Sequence, residues 1–399
     1  MLQEFYKRRL RRPGAMSLPM WLDIARIDWR RYRNLRLMAK EHAAGKTQLR
    51  SLPAKLIIEA TNVCNLNCPG CFTGLGENGR VRSSVSLEAF QRLMDEIGST
   101  LIEVEFFNWG EPLLCKSIYA MVADAHGRGI GTHVTTNFSI PFDQAKAEAL
   151  VKSGLDNLGV SLDGATQEGY EKYRRGGDIA TVIGNARLVA EAKRRLGSRT
   201  PRMVWSFHVF EHNVHEMDLA RSMAEEIGFD DVTFVKGYTI GDEWETRDIG
   251  YIMPDFEPGR CPFLWHYAVV HNDGGVAPCG GTFYREDDIG RISMKPGDGG
   301  AASFREVWNS KAFQEARALF GDGAAGAPAH QCDKVCAGCP NAKVWWKYQD
   351  HQAGGGTRQT FDAGYSSHDG FNYFLTRRPA GRDTRKVIKP RREKEAERV

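Results

Sequence analysis

Between residues 55 and 236, six strand-like runs alternate with five helical runs, and this alternation limits the possible folds more than any other sequence feature. The predicted strands span residues 55–60, 101–107, 131–136, 157–162, 202–210 and 231–235. The predicted helices span about 86–97, 117–127, 143–153, 179–195 and 214–227. Because mostly short loops join these elements, the pattern predicts a parallel sheet flanked by helices, either a partial barrel or an open sheet. Such sheets bind ligands at the carboxyl ends of their strands.

Directly after the first predicted strand, Cys64, Cys68 and Cys71 lie within eight residues, at spacings of four and three. A disulfide cannot pair three cysteines, and a structural zinc site needs four ligands, yet no fourth cysteine or histidine lies nearby in sequence. Three thiolates on one tight loop can instead hold one side of a metal centre and leave a coordination position open for chemistry. A zinc site and three unrelated buried cysteines are the alternatives.

The Cys-x3-Cys-x2-Cys spacing resembles the signature of the radical S-adenosylmethionine (SAM) superfamily. This resemblance implies a partial (β/α)6 TIM-like barrel, in which Cys64, Cys68 and Cys71 hold a [4Fe–4S] cluster and SAM chelates the fourth iron. It also implies that reductive cleavage of SAM gives a 5′-deoxyadenosyl radical, which abstracts hydrogen from the substrate. The family usually has an aromatic residue before the third cysteine to seat adenine. This chain has Gly70 there, and Phe72 is the aromatic residue that can substitute.

Candidate cofactor-binding residues follow the second and third predicted strands. Gly110, Glu111 and Pro112 come after the second strand, where a glycine allows close backbone approach to a ligand and Glu-Pro fixes a carboxylate and a rigid turn. They resemble the family motif that receives the SAM amino group through backbone carbonyls. Thr136 and Asn137 end the third strand and resemble the family's Thr-Asn pair.

The fourth predicted strand ends near Ser161 and Asp163, and Arg174 follows shortly afterwards. A hydroxyl and a guanidinium suit the carboxylate and ribose hydroxyls of SAM, and arginine can hold a carboxylate through two bonds. The resemblance therefore implies Ser161 and Arg174 as ligands of the SAM carboxylate, with Asp163 in the same cofactor site. Taken singly, each of these residues is as often structural.

Two candidate catalytic residues come from the strand pattern. Val204, Ser206, His208 and Phe210 share one face of the fifth strand, so an inward-facing His208 would reach the cavity and bind substrate or move a proton. Cys115, close after the Gly-Glu-Pro motif, is a candidate hydrogen-atom donor. The alternatives are a satisfied core or surface histidine and a buried thiol.

A second cysteine group lies beyond residue 254. It consists of Cys261, Cys279, Cys332, Cys336 and Cys339. The region predicts an alternating strand over 263–271, a hairpin turn at 272–275 and a returning strand that ends at Cys279. Farther on, Ser303 and Glu306 have the spacing of a capping box at a helix start.

This region resembles the SPASM domain, a small cysteine-rich domain of hairpin and helices that carries auxiliary clusters in many radical SAM enzymes. The resemblance implies that Cys261, Cys279, Cys336 and Cys339 hold one auxiliary [4Fe–4S] cluster and that Cys332 is spare or an alternate ligand. Such a cluster could accept an electron from a substrate radical or ligate substrate. A tetrahedral zinc site is the alternative.

The 399 residues predict four parts. These are a basic helical extension (1–54), the partial barrel (55–250), the SPASM-type domain (251–345) and a C-terminal extension with a basic tail (346–399). Residues 1–50 carry a net charge of +9 and residues 376–399 carry +6, which leaves −11 for the remainder. Basic ends can meet an anionic partner, but no nucleic-acid recognition module accompanies them, and solvated, partly disordered tails are the favoured explanation.

The absence of a long apolar run or a signal-peptide pattern predicts a cytoplasmic protein, whose cysteines stay reduced for cluster binding. An electron donor such as flavodoxin or ferredoxin is expected as a partner. The Asn-Trp-Gly-Glu-Pro motif of residues 108–112 and the single auxiliary cluster resemble family members that act on small molecules, and they favour a small-molecule substrate, such as a sugar or a natural product. The alternatives are a maturase of a ribosomal peptide or protein and a non-catalytic iron–sulfur or zinc protein.

Overall fold

The computed structural model describes residues 28–77, 79–237, 244, 259–294, 302–321 and 335–355. The strands are β1 Lys55–Ile58, β2 Glu103–Phe106, β3 Gly131–Thr136, β4 Asn157–Ser161, β5 Arg202–Val209, β6 Asp231–Lys236, β7 Tyr267–Val270, β8 Gly275–Ala277 and β9 Gly290–Arg291. The helices are α1 Trp29–Ala43, α2 Leu87–Ile97, α3 Ile118–Gly127, α4 Gln144–Lys152, α5 Gln167–Tyr173, α6 Ile179–Leu196, α7 Met217–Ile227, α8 Phe263–His266, α9 Phe304–Trp308, α10 Lys311–Ala318 and α11 Pro340–Ala353.

All nine strands form one sheet in the order β6-β5-β4-β3-β2-β1-β7-β8-β9. Strands β1 to β6 pair in parallel with their neighbours, and helices α2, α3, α4, α6 and α7 lie between them in sequence. This arrangement confirms the predicted mixed α/β fold, with a partial (β/α)6 barrel. The carboxyl ends of the parallel strands consequently meet at one edge of the sheet.

The two faces of the sheet differ in chemistry. One face packs against the helices, and its buried side chains include Leu56, Val104, Val134, Leu158 and Trp205. Strand β5 alternates between buried residues on this face and half-buried residues on the other, as the two-residue period of a strand requires. The opposite face, called the inner face below, carries polar residues.

The inner face has a charged layer near the start of its strands. Lys55 on β1 forms ion pairs with Glu103, its register partner on β2, and with Glu105. Burial raises the pKa of Glu105 and lowers the pKa of the nearby His133 imidazole to about 4, so His133 is neutral at physiological pH. This layer lies at the opposite end of the strands from the predicted site.

The same sheet continues into the C-terminal region, which the sequence did not predict. Strand β7 pairs in parallel with β1, and Lys55 lies opposite Tyr267. Strands β7 and β8 form the predicted hairpin, with Gly274 at φ 85°, a left-handed conformation that favours glycine. The predicted cysteine-rich region is therefore joined to the barrel through hydrogen bonds between strands.

Two parts of the C-terminal pattern differ from the prediction. The predicted strand over 263–271 is wrong in its first half, because residues Phe263–His266 form the short helix α8 and only Tyr267–Val270 form a strand. Helices α5, α10 and α11 were not predicted. The capping box is confirmed, since the Ser303 side chain accepts from the Glu306 amide and the Glu306 side chain accepts from the Ser303 amide.

The predicted basic helical extension over residues 1–54 contains the helix α1, which begins at Trp29, and its residues 1–27 lie outside the described residues. Arg31 is buried and donates to the carbonyl oxygens of Leu101 at 2.7 Å and Arg128 at 2.8 Å, so α1 packs against the barrel. No helix within the described ranges is both long and apolar enough to cross a membrane.

Candidate active site

The three cysteines that follow β1 lie against one small group of apolar side chains. Cys64, Cys68 and Cys71 contact a cluster that is formed by Leu66, Tyr173, Phe210 and Trp244. None of the three thiols is in a disulfide. Burial raises the pKa of Cys64 and of Cys68 to about 12 and also raises the pKa of Cys71. Without a bound cation these thiols therefore stay protonated at neutral pH.

This donor set fits a cluster that is ligated by three thiolates. A bound metal centre would supply the positive charge that keeps buried thiolates ionised, and the neighbouring Arg174 already lowers the pKa of all three thiols. Within the described residues, no three Cys, His, Asp or Glu side chains converge closely enough to hold a single metal ion. A cube of four irons is wider than one ion, so its ligands are farther apart than those of zinc.

Gly110 and Glu111 both contact protein segments next to the cysteine loop. A Cβ atom at Gly110 would lie 1.8 Å from the Thr61 carbonyl oxygen, so the glycine is needed for packing against the segment after β1. Close approach of the Gly110 backbone to a bound ligand stays a prediction. Pro112 begins a 3-10 helix, Pro112–Leu114, which the Glu111 side chain caps.

The Glu111 carboxylate accepts three hydrogen bonds from the protein. It accepts from the Leu113 amide at 3.0 Å, the Thr136 hydroxyl at 2.7 Å and the Asn137 amide at 2.7 Å. Burial raises the pKa of Glu111 to about 6, and these bonds oppose the rise. Glu111 therefore connects the end of β2 to the end of β3, and the Thr136 hydroxyl uses its hydrogen in the bond to Glu111.

Asn137 connects the end of β3 to the cysteine loop. Its side-chain nitrogen lies 3.6 Å from the Cys64 sulfur and 3.1 Å from the Asn65 side-chain oxygen. The next residue, Phe138, has φ 55°, a left-handed conformation that is uncommon for an aromatic residue. The chain thus turns sharply at the point where Asn137 reaches the first cysteine.

The buried Asp163 and the half-buried Arg174 and His208 form a polar network at the ends of β4 and β5. Asp163 accepts from Arg174 Nε at 2.6 Å, from the His208 amide at 2.7 Å and from His208 Nδ1 at 3.0 Å. Burial alone would raise the pKa of Asp163, but Arg174 and His208 outweigh it and lower the pKa to about 2. Because the ionised carboxylate only accepts, Nδ1 carries the proton and Nε2 of a neutral His208 is an acceptor.

Arg174 is held beside the cysteine loop by Asp163 and Tyr173. Among the described residues, only its Nε makes a hydrogen bond, and its guanidinium also lies 5.3 Å from the Tyr173 ring centroid. Ser161 is buried and lies opposite Ser206 in the β4–β5 register, on the inner face. These side chains are brought together at the edge that the cysteine loop occupies.

Cys115 lies elsewhere. Its side chain is 1% exposed and belongs to the main hydrophobic core, where the sulfur is 3.7 Å from the Val85 carbonyl oxygen. Burial raises the pKa of Cys115. This burial fits the buried-thiol alternative, and the role of a hydrogen-atom donor stays a prediction.

Three C-terminal cysteines lie close enough to influence one another electrostatically. The pKa values of Cys261 and Cys279 are raised, first by burial and next by the charge that Cys339 would carry as a thiolate. Cys336 is buried and lies three residues before Cys339 in the chain. The Cys339 amide donates to the Cys336 carbonyl oxygen at 3.2 Å. Cys332 lies outside the described residues. This arrangement fits a shared metal centre, and the exact set of four ligands stays a prediction.

Some residues of the site were not found from the sequence. Tyr173, Phe210 and Trp244 surround the cysteine loop, and their rings lie 4.6 to 6.1 Å apart. Phe72, the predicted adenine contact, instead packs against Trp109, Phe283 and Tyr284. Scattered aromatic residues carry no periodic signal, so only the fold brings them together.

Comparisons with known proteins agree with this geometry. Residues 58–221 match the family model of the radical SAM superfamily, and residues 261–340 match that of SPASM, an iron–sulfur cluster-binding domain. The PqqA peptide cyclase of Granulibacter bethesdensis is 30% identical over 141 residues, which are 35% of this chain and 37% of that protein. The PqqA peptide cyclase of Gluconobacter oxydans is 28% identical over 181 residues, 45% of this chain and 48% of that protein.

The chain thus matches between about a third and a half of the length of these relatives. Among solved structures, Streptococcus suis SuiB bound to the precursor peptide SuiA has a TM-score of 0.51 and 14% identity, covering 71% of this chain and 70% of SuiB. At this identity the similarity supports the fold alone.

Proposed function

Because this chain belongs to the radical SAM superfamily and carries a SPASM domain, we propose that it is a radical enzyme that modifies a precursor peptide. Membership implies SAM and [4Fe–4S] clusters as cofactors. The observation that carries the peptide proposal is the match to two PqqA peptide cyclases, whose names identify a peptide substrate. The similar fold of SuiB, solved with a precursor peptide, is compatible with it.

The small-molecule substrate expected from the sequence is the less supported reading. That expectation depended on the wording of residues 108–112, yet those residues have structural tasks in this chain. Gly110 packs on the Thr61 backbone, Glu111 caps two strand ends, and the Trp109 indole donates to the Thr282 carbonyl oxygen at 2.7 Å. These contacts explain the motif without reference to a substrate, so the single auxiliary cluster is the remaining sequence argument for a small molecule.

Cys64, Cys68 and Cys71 would hold the SAM-binding cluster in this proposal. When bound, the cluster and SAM supply a carbon radical that takes a hydrogen atom from the substrate. The protein's part is to fix the loop, for which Asn137 contacts Cys64, and to keep water away with the apolar group around the thiols. The family matches leave no support for the non-catalytic alternative.

Arg174 is the residue that we assign to the SAM carboxylate. Its Nε is fixed by Asp163, so its outer edge is presented in a constant orientation, and a carboxylate can accept two bonds from that edge. Asp163 thus acts through Arg174, as a positioning residue. Ser161 is assigned to the same cofactor site, and His208, with Nδ1 bound to Asp163, is assigned to proton transfer at Nε2.

Cys261, Cys279, Cys336 and Cys339 are assigned to the auxiliary cluster, with Cys332 as an alternate ligand. The division at residues 250 and 345 stays part of this proposal, as does a flavodoxin or ferredoxin as electron donor. The matched segments fall within the proposed barrel and SPASM-type domain.

The test is anaerobic reconstitution followed by incubation with SAM, a low-potential reductant and candidate precursor peptides. We expect about eight irons per chain, as two [4Fe–4S] clusters require, together with 5′-deoxyadenosine and a mass change in one peptide. The matched control is Cys64→Ala, which should give neither product.

Deuterium-labelled substrates separate the remaining outcomes. Transfer of deuterium from a peptide into 5′-deoxyadenosine supports the proposal. Transfer only from a metabolite would replace the peptide with a small-molecule substrate. Bound zinc without any SAM cleavage would overturn the enzyme assignment.

A further inference from the structure

Arg80 connects the cysteine loop to the C-terminal hairpin. It belongs to the segment of residues 64–84, called the cluster loop here, and its side chain is 2% exposed. Its Nε donates to the Phe283 carbonyl oxygen at 3.1 Å, and Nη2 donates to the Tyr284 carbonyl oxygen at 3.2 Å. Nη1 donates to Asp273 at 3.0 Å and to Asp288 at 2.9 Å, and Nη2 also contacts Asp288. These bonds use all five N–H groups of the guanidinium.

All of these acceptors lie in residues 267–292, called the auxiliary hairpin here. Asp273 and Asp288 also accept from Arg291, at 3.2 and 3.5 Å. Two arginines thus balance two aspartates, and only Arg80 comes from the cluster loop. A buried charge of this kind is favourable only while every partner stays in position, so the network is sensitive to small displacements of the loop.

A second contact lies on the other side of the same loop. Phe72, the residue directly after Cys71, stacks on Phe283 with ring centroids 4.9 Å apart. A Cβ atom at Gly79 would lie 2.4 Å from the Phe283 ring, so the hairpin approaches the loop as closely as a glycine permits. The Trp109 ring lies 5.2 Å from Phe72 and completes the aromatic group.

Both contacts end near residues that are assigned to the two clusters. Phe72 is bonded to Cys71. On the other side, the Thr282 hydroxyl donates to the Cys279 carbonyl oxygen at 2.9 Å, and the Thr282 carbonyl oxygen accepts from Trp109. The cluster loop has no helix or strand of its own among its described residues, so its order depends on contacts such as these.

We propose that Arg80 and Phe72 lock the cluster loop onto the auxiliary hairpin, so that they act as positioning residues for the SAM-binding cluster. The consequence for the SAM-binding cluster rests on the function proposed above, whereas the lock itself does not. Because Cys64 is also held by Asn137, release of the lock should disturb the Cys71 end of the loop first.

The test compares Arg80→Met with Arg291→Met in the anaerobically purified holoenzyme. Arg291 shares the network but lies in the hairpin, so it is the matched control. Hydrogen–deuterium exchange should rise in residues 71–84 of Arg80→Met by at least about tenfold, because the variant loses five hydrogen bonds and one charged bond alone accounts for about that factor. Exchange in β3 and β4 should stay unchanged, and Arg291→Met should leave the loop close to wild type.

The holoenzyme gives a readout that general loss of stability would not. In Arg80→Met, the midpoint potential of the first cluster and its EPR change on SAM addition should move, while the auxiliary cluster keeps its potential. Phe72→Leu should show the same selectivity with a smaller effect. If Arg80→Met does not fold, Arg80→Lys is used, because lysine keeps the charge but loses the five-bond fork.

The outcomes separate the lock from the proposed function. Unchanged loop exchange and an unchanged first cluster in Arg80→Met or Arg80→Lys would overturn the lock, even if the wild-type enzyme cleaves SAM. Faster loop exchange in a protein whose wild type never cleaves SAM would support the lock and reject the proposed function. Equal disturbance of both clusters would also overturn the selective role of Arg80.

Discussion

Replacing Asp163 with asparagine removes a buried negative charge that joins the ends of β4 and β5. Its carboxylate has no exposed surface and accepts bonds from Arg174 and His208. Asparagine has nearly the same shape, but its amide nitrogen is a donor and would face a donor of either Arg174 or His208. The substitution therefore tests electrostatics with little change in packing.

The magnitude follows from the pKa of Asp163, which lies at about 2 instead of the ordinary 3.8. Linkage converts that difference into about 2.5 kcal/mol of stability at neutral pH. Leaving the half-buried Arg174 without its partner adds to the loss, which stays below the cost of about 3–5 kcal/mol for breaking a fully buried pair. We expect Asp163→Asn to lower the free energy of unfolding by about 3 kcal/mol at pH 7.

The stability difference between wild type and Asp163→Asn should depend on pH. Because the pKa is lowered on folding, the contribution is complete above the ordinary value of 3.8 and is lost as the pH falls towards 2. Urea unfolding should therefore give a constant gap between wild type and variant from pH 7 to about 5, and a narrowing gap below about 4.

Asp218→Asn is the matched control, since Asp218 forms an exposed ion pair with Arg221 and should change stability by less than about 0.5 kcal/mol. A loss below about 0.5 kcal/mol for Asp163→Asn, at an unchanged urea dependence, would refute the electrostatic account of this network.

Two further predictions concern other parts of the site. Cys64→Ala should abolish SAM cleavage and remove about half of the iron, whereas Cys336→Ala should spare the first cluster. Iron analysis and EPR measure the cluster content of both variants. Loss of both clusters from either change would contradict two separate sites. Glu111→Gln places an amide donor against the Asn137 amide or another donor, and should cost about 1–3 kcal/mol in urea unfolding; wild-type stability would show that the three bonds to Glu111 are dispensable.

The barrel was predictable because its signal is local. Buried parallel strands appear as short apolar runs between turn residues, and β3 has the predicted bounds while the other five strands differ by at most two residues at either end. Helix α8 was missed because Phe263, Trp265 and Tyr267 alternate as in a strand. Pro262 precedes this helix, and the Trp265 indole bonds to the Lys46 carbonyl oxygen, so tertiary packing decided the local structure.

The cysteine loop was predictable for the same reason, since three thiols within eight residues must share one loop. The tasks of Glu111 and Gly110 were not, because they depend on which segments meet behind the loop. Glu111 bonds to residues 25 and 26 positions away, and Gly110 packs on a backbone 49 positions earlier. The sequence of a motif identifies such residues, but it does not predict which segments their side chains contact.

The position of Phe72 shows how one departure from a motif gains meaning from the fold. Read along the sequence, an aromatic residue placed after Cys71 and a glycine placed before it suggest a small shift of the adenine contact. In the structure, Phe72 is 2% exposed and stacks on Phe283, on the side of the auxiliary hairpin. This aromatic residue therefore contributes to the contact between the cysteine loop and the auxiliary hairpin, and its contact with adenine stays a prediction.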